Sequence, residues 1–113
     1  MKIFNLGRCQ GKTTRMLYAS EFNDAPIICP TEESKRYLIE QAKRLNLNIP
    51  TPMTVYDAMT NGARGERFNK VLVDEMNYVL KFMFRYILNA DIIGGTITID
   101  DNTNSNKLSW NKV

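Results

Sequence analysis

Two short stretches of this sequence carry residue types that could do chemistry. Gly7-Arg8-Cys9-Gln10-Gly11-Lys12-Thr13-Thr14 follows the mostly apolar run Ile3-Phe4-Asn5-Leu6, and Asp74-Glu75 closes the run Val71-Leu72-Val73. The first stretch reads as a phosphate-binding loop between a strand and a helix. Gly11 lets the backbone approach an anion closely, and the N–H groups of the loop and of the helix start point at it. In that chemistry Lys12 reaches the terminal phosphates of a nucleoside triphosphate and the Thr13 hydroxyl holds Mg²⁺. The second stretch ends a buried strand with two acids, which is costly unless they serve something cationic. Beside a triphosphate, Asp74 would orient a water of the Mg²⁺ shell and Glu75 would polarise the attacking water. The plainer alternative is a solvated strand end followed by acids at a helix N-terminus.

The loop departs from the usual G-x-x-x-x-G-K-[ST] spacing. Leu6 stands at the first glycine position, and three residues separate Gly7 from Gly11. A Gly-Lys-Thr tripeptide alone recurs in unrelated chains. Its weight here comes from its place after a strand and from the second motif.

Composition narrows the chemistry further. At 113 residues, one compact domain is expected. The absence of histidine removes a His triad, a His metal site and a His base together, leaving carboxylate, lysine, tyrosine or cysteine as a catalytic base. Cys9 and Cys29 make no metal pattern and are expected as reduced thiols in a cytoplasmic setting. No apolar run approaches a membrane span and no signal-peptide h-region is evident, so no membrane partner is expected. The net charge of +3 permits nucleic-acid contact without arguing for it.

The elements that must position these residues follow from pattern and punctuation. Lys2 to Leu6 is a first strand. A helix from Thr13 carries Met16, Leu17 and Phe22 and ends before Asp24-Ala25-Pro26. Ile27-Ile28-Cys29 is a continuous apolar run, as expected of a buried parallel strand. Thr31 is an N-cap, with Glu32 and Glu33 in the first turn and Lys43-Arg44 in the last, both suited to the helix dipole. Leu38, Ala42 and Leu45 give that helix its inner face. After the rigid Ile49-Pro50-Thr51-Pro52, a third strand is predicted over Met53-Thr54-Val55-Tyr56, then a helical turn over Asp57 to Thr60 and a loop over Asn61 to Asn69. Lys70 to Asp74 is a strand. Met76, Val79, Leu80, Met83 and Ile87 recur at helical spacing and read as core. Gly94-Gly95 leads into a fifth strand, Thr96 to Ile99. A polar tail over 101–113 could return Leu108-Ser109-Trp110 as a hairpin or stay loose. Alternating strands and helices imply an α/β fold, a three-layer doubly wound and mainly parallel sheet of about five strands over residues 1–100. Its ligands belong at the C-terminal strand ends, where both motifs fall.

Taken together, the chain resembles the P-loop NTPases that carry a catalytic glutamate beside the second-motif aspartate, with a RecA-like core. Ile27-Ile28-Cys29-Pro30-Thr31 is similar to the helicase strand that ends in Pro-Thr, and Val71 to Glu75 resembles motif II. The Gly7 to Thr14 loop looks closest to phage terminase large subunits, whose loop often lacks the first glycine and carries an arginine three residues before Gly-Lys. Arg8 holds that place. The resemblance implies Arg8 as a transition-state group acting within its own chain; a structural contact or a phosphate clamp is the other reading. It further implies ATP and Mg²⁺ as ligands, with Gly7, Arg8, Cys9, Gln10, Gly11, Lys12, Thr13 and Thr14 binding nucleotide, Thr13 and Asp74 the metal, and Glu75 and Arg8 the catalytic groups. Type II thymidine kinases offer a rival, since they pair Gly-Lys-Thr-Thr with an Asp-Glu strand; the cysteine lobe and the lasso of that family have no counterpart here.

Three functions follow as expectations: Mg²⁺-dependent ATP hydrolysis, nucleotide binding without turnover that acts through a partner, and DNA contact through Arg64, Arg67 and Lys70. The chain has room for neither a second motor domain nor a nuclease domain, so a complete motor is not expected from it alone. A homo-oligomer or a partner ATPase could complete the site. The asparagine-rich composition is consistent with a bacteriophage protein in a bacterial cytoplasm.

Overall fold

A computed structural model describes residues 11–60, 68–96 and 98. In chain order the elements are α1 (Lys12–Asn23), β1 (Ile27–Cys29), α2 (Glu32–Arg44), β2 (Met53–Thr54), α3 (Val55–Thr60), β3 (Leu72–Val73) and α4 (Met76–Leu88). The three strands form one parallel sheet in the order β2-β1-β3. Ile28 and Cys29 register with Met53 and Thr54 on one side. Ile27 and Ile28 register with Leu72 and Val73 on the other. The α/β class and the parallel sheet are therefore as expected, with three strands among the described residues. The predicted first strand, Lys2 to Leu6, and the tail from Asp101 lie outside those residues. Thr96 and Thr98 are described and belong to no strand.

β1 holds the centre because each of its residues is apolar and successive side chains point to opposite faces. Ile27 and Cys29 enter one cluster with Leu72, Met16 and Leu17 of α1, and Leu38 and Ala42 of α2. Ile28 enters the other with Val55 and Val79, against which Met53, Val73 and Met83 pack. Helices thus cover both faces, α1 and α2 on one and α3 and α4 on the other. Phe22, read with Met16 and Leu17 in the sequence, is 75 % exposed instead. It lies five residues after Leu17, about 140° around the helix. Ser20 takes the inner position and donates to the Ala25 carbonyl at 2.7 Å.

The α2 boundaries match the pattern. Thr31 caps the helix by accepting the Ser34 N–H at 3.1 Å, with Glu32 and Glu33 in the first turn and Lys43 and Arg44 in the last. The predicted third strand is shorter than expected, because Val55 and Tyr56 begin α3. The cause is a reciprocal cap. The Thr54 hydroxyl accepts the Asp57 N–H at 3.0 Å, and the Asp57 carboxylate accepts the Thr54 N–H at 3.2 Å. This Thr-x-x-Asp arrangement satisfies two backbone donors at once and starts the helix one residue after Thr54. Lys35 of α2 adds an ion pair to Asp57 at 3.1 Å.

β3 and α4 also differ from the sequence pattern. Val71 is 43 % exposed and precedes β3 rather than joining it. The α4 stripe is only partly core: Val79 is buried and Met76 and Met83 half-buried, while Leu80 and Ile87 are exposed. In the C-terminal half of α4, Met83 packs on the cluster of Ile28, Val55 and Val79, while Tyr86 and Ile87 stay exposed. No helix among the described residues is long and apolar enough to cross a membrane.

Burial pulls the Asp57 carboxyl up, but the Thr54 N–H and Lys35 outweigh it and hold it below its ordinary value. A depressed carboxyl contributes stability that is present above its unfolded pKa and lost as pH falls through the folded one. Asp57→Ala is expected to cost about 1–2 kcal/mol in urea unfolding at pH 7. The difference from the parent should shrink as pH drops below the unfolded carboxyl value of 3.8; a pH-independent difference would show that packing, not the charged cap, is what the substitution removes.

Candidate functional site

The residues of interest meet where α1 begins and β3 ends. α1 starts from Gly11, whose backbone is left-handed at φ 78°. A β-carbon there would meet no atom of the described residues within 4 Å, and the left-handed backbone is the conformational reason for a glycine. Lys12 is the first helical residue, Thr13 beside it is half-buried, and Thr14 is exposed. No acid lies in the first turn of α1, in contrast to α2. The positive end of this helix is therefore not offset by its own side chains.

β3 delivers Asp74 and Glu75 to the same place. The Asp74 N–H extends the ladder by donating to the Ile28 carbonyl at 2.9 Å. Glu75 then turns the chain at φ 56°, ψ 59°, a left-handed conformation that costs a non-glycine residue about 1–2 kcal/mol. It is held there as the N-cap of α4, its carbonyl accepting the Tyr78 and Val79 N–H groups at 2.9 and 3.0 Å. The turn aims its side chain at α1. The Lys12 ammonium donates to both Glu75 carboxylate oxygens, at 3.3 and 3.4 Å, across 63 positions of sequence.

Asp74 is half-buried, and its carboxyl is raised above the ordinary value. Burial is the main cause and the neighbouring Glu75 charge the second; Lys12 opposes both. A hydroxyl at Thr13 and a desolvated carboxylate at Asp74 are hard oxygen donors of the kind Mg²⁺ takes, with waters and phosphate oxygens completing its shell. No cluster of three or more His, Cys, Asp or Glu that could hold a metal by itself occurs among the described residues. Cys29 is removed from the candidate bases: burial, and then the Asp74 charge, push its thiol up to about 11.

Of the residues read from the sequence, Lys12 and Glu75 are brought into contact, with Asp74 adjacent in the chain and within reach of the Lys12 charge. Gly7, Arg8, Cys9, Gln10, Arg64 and Arg67 lie outside the described residues; Lys70 is described and exposed. A concavity of about 490 Å³ opens at the C-terminal ends of β1 and β2. Thr31, Tyr56, Phe82, Arg85 and Tyr86 help to line it, while Lys12 and Glu75 do not. Tyr56 and Tyr86 meet edge to face at 5.9 Å, and Arg85 is already paired with Asp91 at 3.1 Å. The sequence signal for this wall was the i, i+3, i+4 spacing of Phe82, Arg85 and Tyr86. The left-handed turn at Glu75 had no signal, since glutamate rarely adopts it.

No family model matches the chain, and neither a curated protein nor a solved structure is similar to it.

The raised Asp74 carboxyl has a consequence for stability. A group whose folded pKa is raised favours the fold most below its unfolded pKa, and that advantage is lost as pH rises through the folded value. At pH 7 the desolvated Asp74 carboxyl therefore weighs against the fold. Asp74→Asn is expected to raise the melting temperature at pH 7, and to raise it less below pH 3.8, the ordinary carboxyl value. A melting temperature lowered at pH 7 would mean that the charge contributes more through Lys12 than it loses by burial.

Proposed function

We propose that this chain binds a nucleoside triphosphate, ATP with Mg²⁺, at the start of α1, and that it is a P-loop NTPase domain of the terminase and helicase kind. One observation carries the reading: two motifs 63 residues apart converge as Lys12 and Glu75 at the C-terminal end of a parallel sheet. This is where an open α/β sheet presents ligands. The glycine start of α1, its lysine and its acid-free first turn form an anion-directed helix end. Lys12 holds the terminal phosphates, Thr13 and Asp74 hold Mg²⁺, and Glu75 orients the attacking water. Bound Mg²⁺ would supply charge neutralisation at the phosphates. Arg8 is the candidate for stabilising charge on the transferred phosphoryl group.

The second reading is nucleotide binding without turnover, in which the domain acts through a partner or through DNA. The same contact favours it, because a Glu75 carboxylate engaged with Lys12 is not placed on a water.

Calorimetric titration with ATP and Mg²⁺, run beside a phosphate-release assay, separates the readings. Lys12→Ala is expected to lose tenfold or more in affinity, as removal of a charge-assisted phosphate contact of about 1.5–3 kcal/mol requires. Its own folding stability should change by less than about 1 kcal/mol, the ceiling for a partly exposed ion pair. Glu75→Gln is expected to keep binding and to stop phosphate release. Binding with no release by the parent protein selects the second reading, and no binding at millimolar ATP overturns both.

A further inference from the structure

Lys12 and Glu75 cannot each do the work assigned to them while they hold each other. The ammonium faces both oxygens of one carboxylate, at 3.3 and 3.4 Å. A phosphate arriving at the first turn of α1 meets a lysine already engaged, and Glu75 points at that lysine. The carboxylate meets the ammonium of the first residue of α1, a helix with no first-turn acid of its own whose start favours an anion. It comes from a different element, after β3, and so can be withdrawn without altering α1.

The backbone permits that withdrawal. The Glu75 carbonyl is fixed by the Tyr78 and Val79 N–H groups, and the preceding Asp74 N–H by Ile28. These bonds do not involve the Glu75 side chain, so its carboxylate can swing away without loosening β3 or α4. The two side chains are 33 % and 38 % exposed. Water screens a pair of this kind, which sets a resting arrangement yet yields to a ligand of higher charge. Asp74 places a second negative charge beside the lysine and does not replace Glu75 as its partner.

We propose that the Lys12–Glu75 ion pair is an autoinhibitory contact: the carboxylate occupies the lysine in place of a phosphate, and a bound triphosphate exchanges one anion for the other. The exchange fills the lysine and releases Glu75 toward its water in the same event. The free domain thereby keeps its water-orienting group off duty until the substrate is seated. This inference rests on the nucleotide reading above.

The test is titration of the full chain with a non-hydrolysable ATP analogue and Mg²⁺, comparing the parent with Glu75→Gln and Glu75→Asp. Aspartate keeps the charge, tolerates the left-handed backbone better than glutamate, and is one methylene too short to make the same contact. Both variants are expected to bind roughly two- to five-fold tighter than the parent, the range that loss of a screened pair allows. In ligand-free protein, acylation of Lys12 read by peptide mass spectrometry should speed up in both. Tighter binding by Glu75→Gln alone would reduce the effect to charge repulsion and overturn the contact. Equal affinities in all three proteins, or Lys12 acylation unchanged in both variants, would also overturn it, leaving the nucleotide reading intact where the parent binds. No binding by any of the three would overturn the nucleotide reading, and the inference with it.

Discussion

Hydrogen bonding along both edges of β1 is the constraint on which the rest of this structure depends. Three residues, Ile27, Ile28 and Cys29, take partners on two sides and send side chains to two faces. Their pairing with β3 is completed by Leu72 donating to the Pro26 carbonyl and Asp74 to that of Ile28. That last bond fixes where β3 stops and hence where Glu75 must turn. Shifting β3 by one residue would exchange the faces of Leu72 and Val73. It would place Leu72 in the α3 and α4 cluster and carry the carboxylates away from α1.

Local strain and local satisfaction are divided unevenly around this sheet. α2 begins with a threonine cap and two acids, α3 with a reciprocal threonine and aspartate cap, so both starts are chemically complete. α1 and α4 begin otherwise. Each starts from a left-handed residue with no side-chain cap, Gly11 in one and Glu75 in the other. The two unfinished starts face each other through Lys12 and Glu75. Asp24, Asn46 and Asn89 are left-handed too, at or just past helix C-termini where that conformation is ordinary, so among the described residues Glu75 stands apart as a left-handed glutamate at a helix start.

Much of this was legible from residue types. Thr31 followed by two glutamates marked a helix start, Ile27 to Cys29 marked a buried parallel strand, and Leu38 with Ala42 marked an inner face. Lys12 and Glu75 were both visible as charged groups at element ends. Their mutual contact was not visible, because it depends on the φ of one glutamate and on the register of β3, neither of which periodicity encodes. Thr54-x-x-Asp57 is present in the sequence as a cap signature, but Met53 to Tyr56 is also a run of strand formers. The α4 stripe failed for a different reason. Helical spacing reports which residues share a face, and the elements packed against the helix decide how much of that face is covered. Leu80 and Ile87 share the stripe with Val79 and remain exposed.

The 63-residue separation of Lys12 from Glu75 bears on how the chain is assembled. Contacts within α1 and α2 close short loops, whereas joining β1 to β3 closes a segment of more than forty residues and carries a larger entropy cost before any reward. The helices can gain their hydrogen bonds early and independently. The two halves of the candidate site come together only once the most distant strand has docked. A chain emerging from synthesis would thus hold Lys12 and its glycine turn long before it held Glu75, and the proposed site would be complete only once β3 had joined β1.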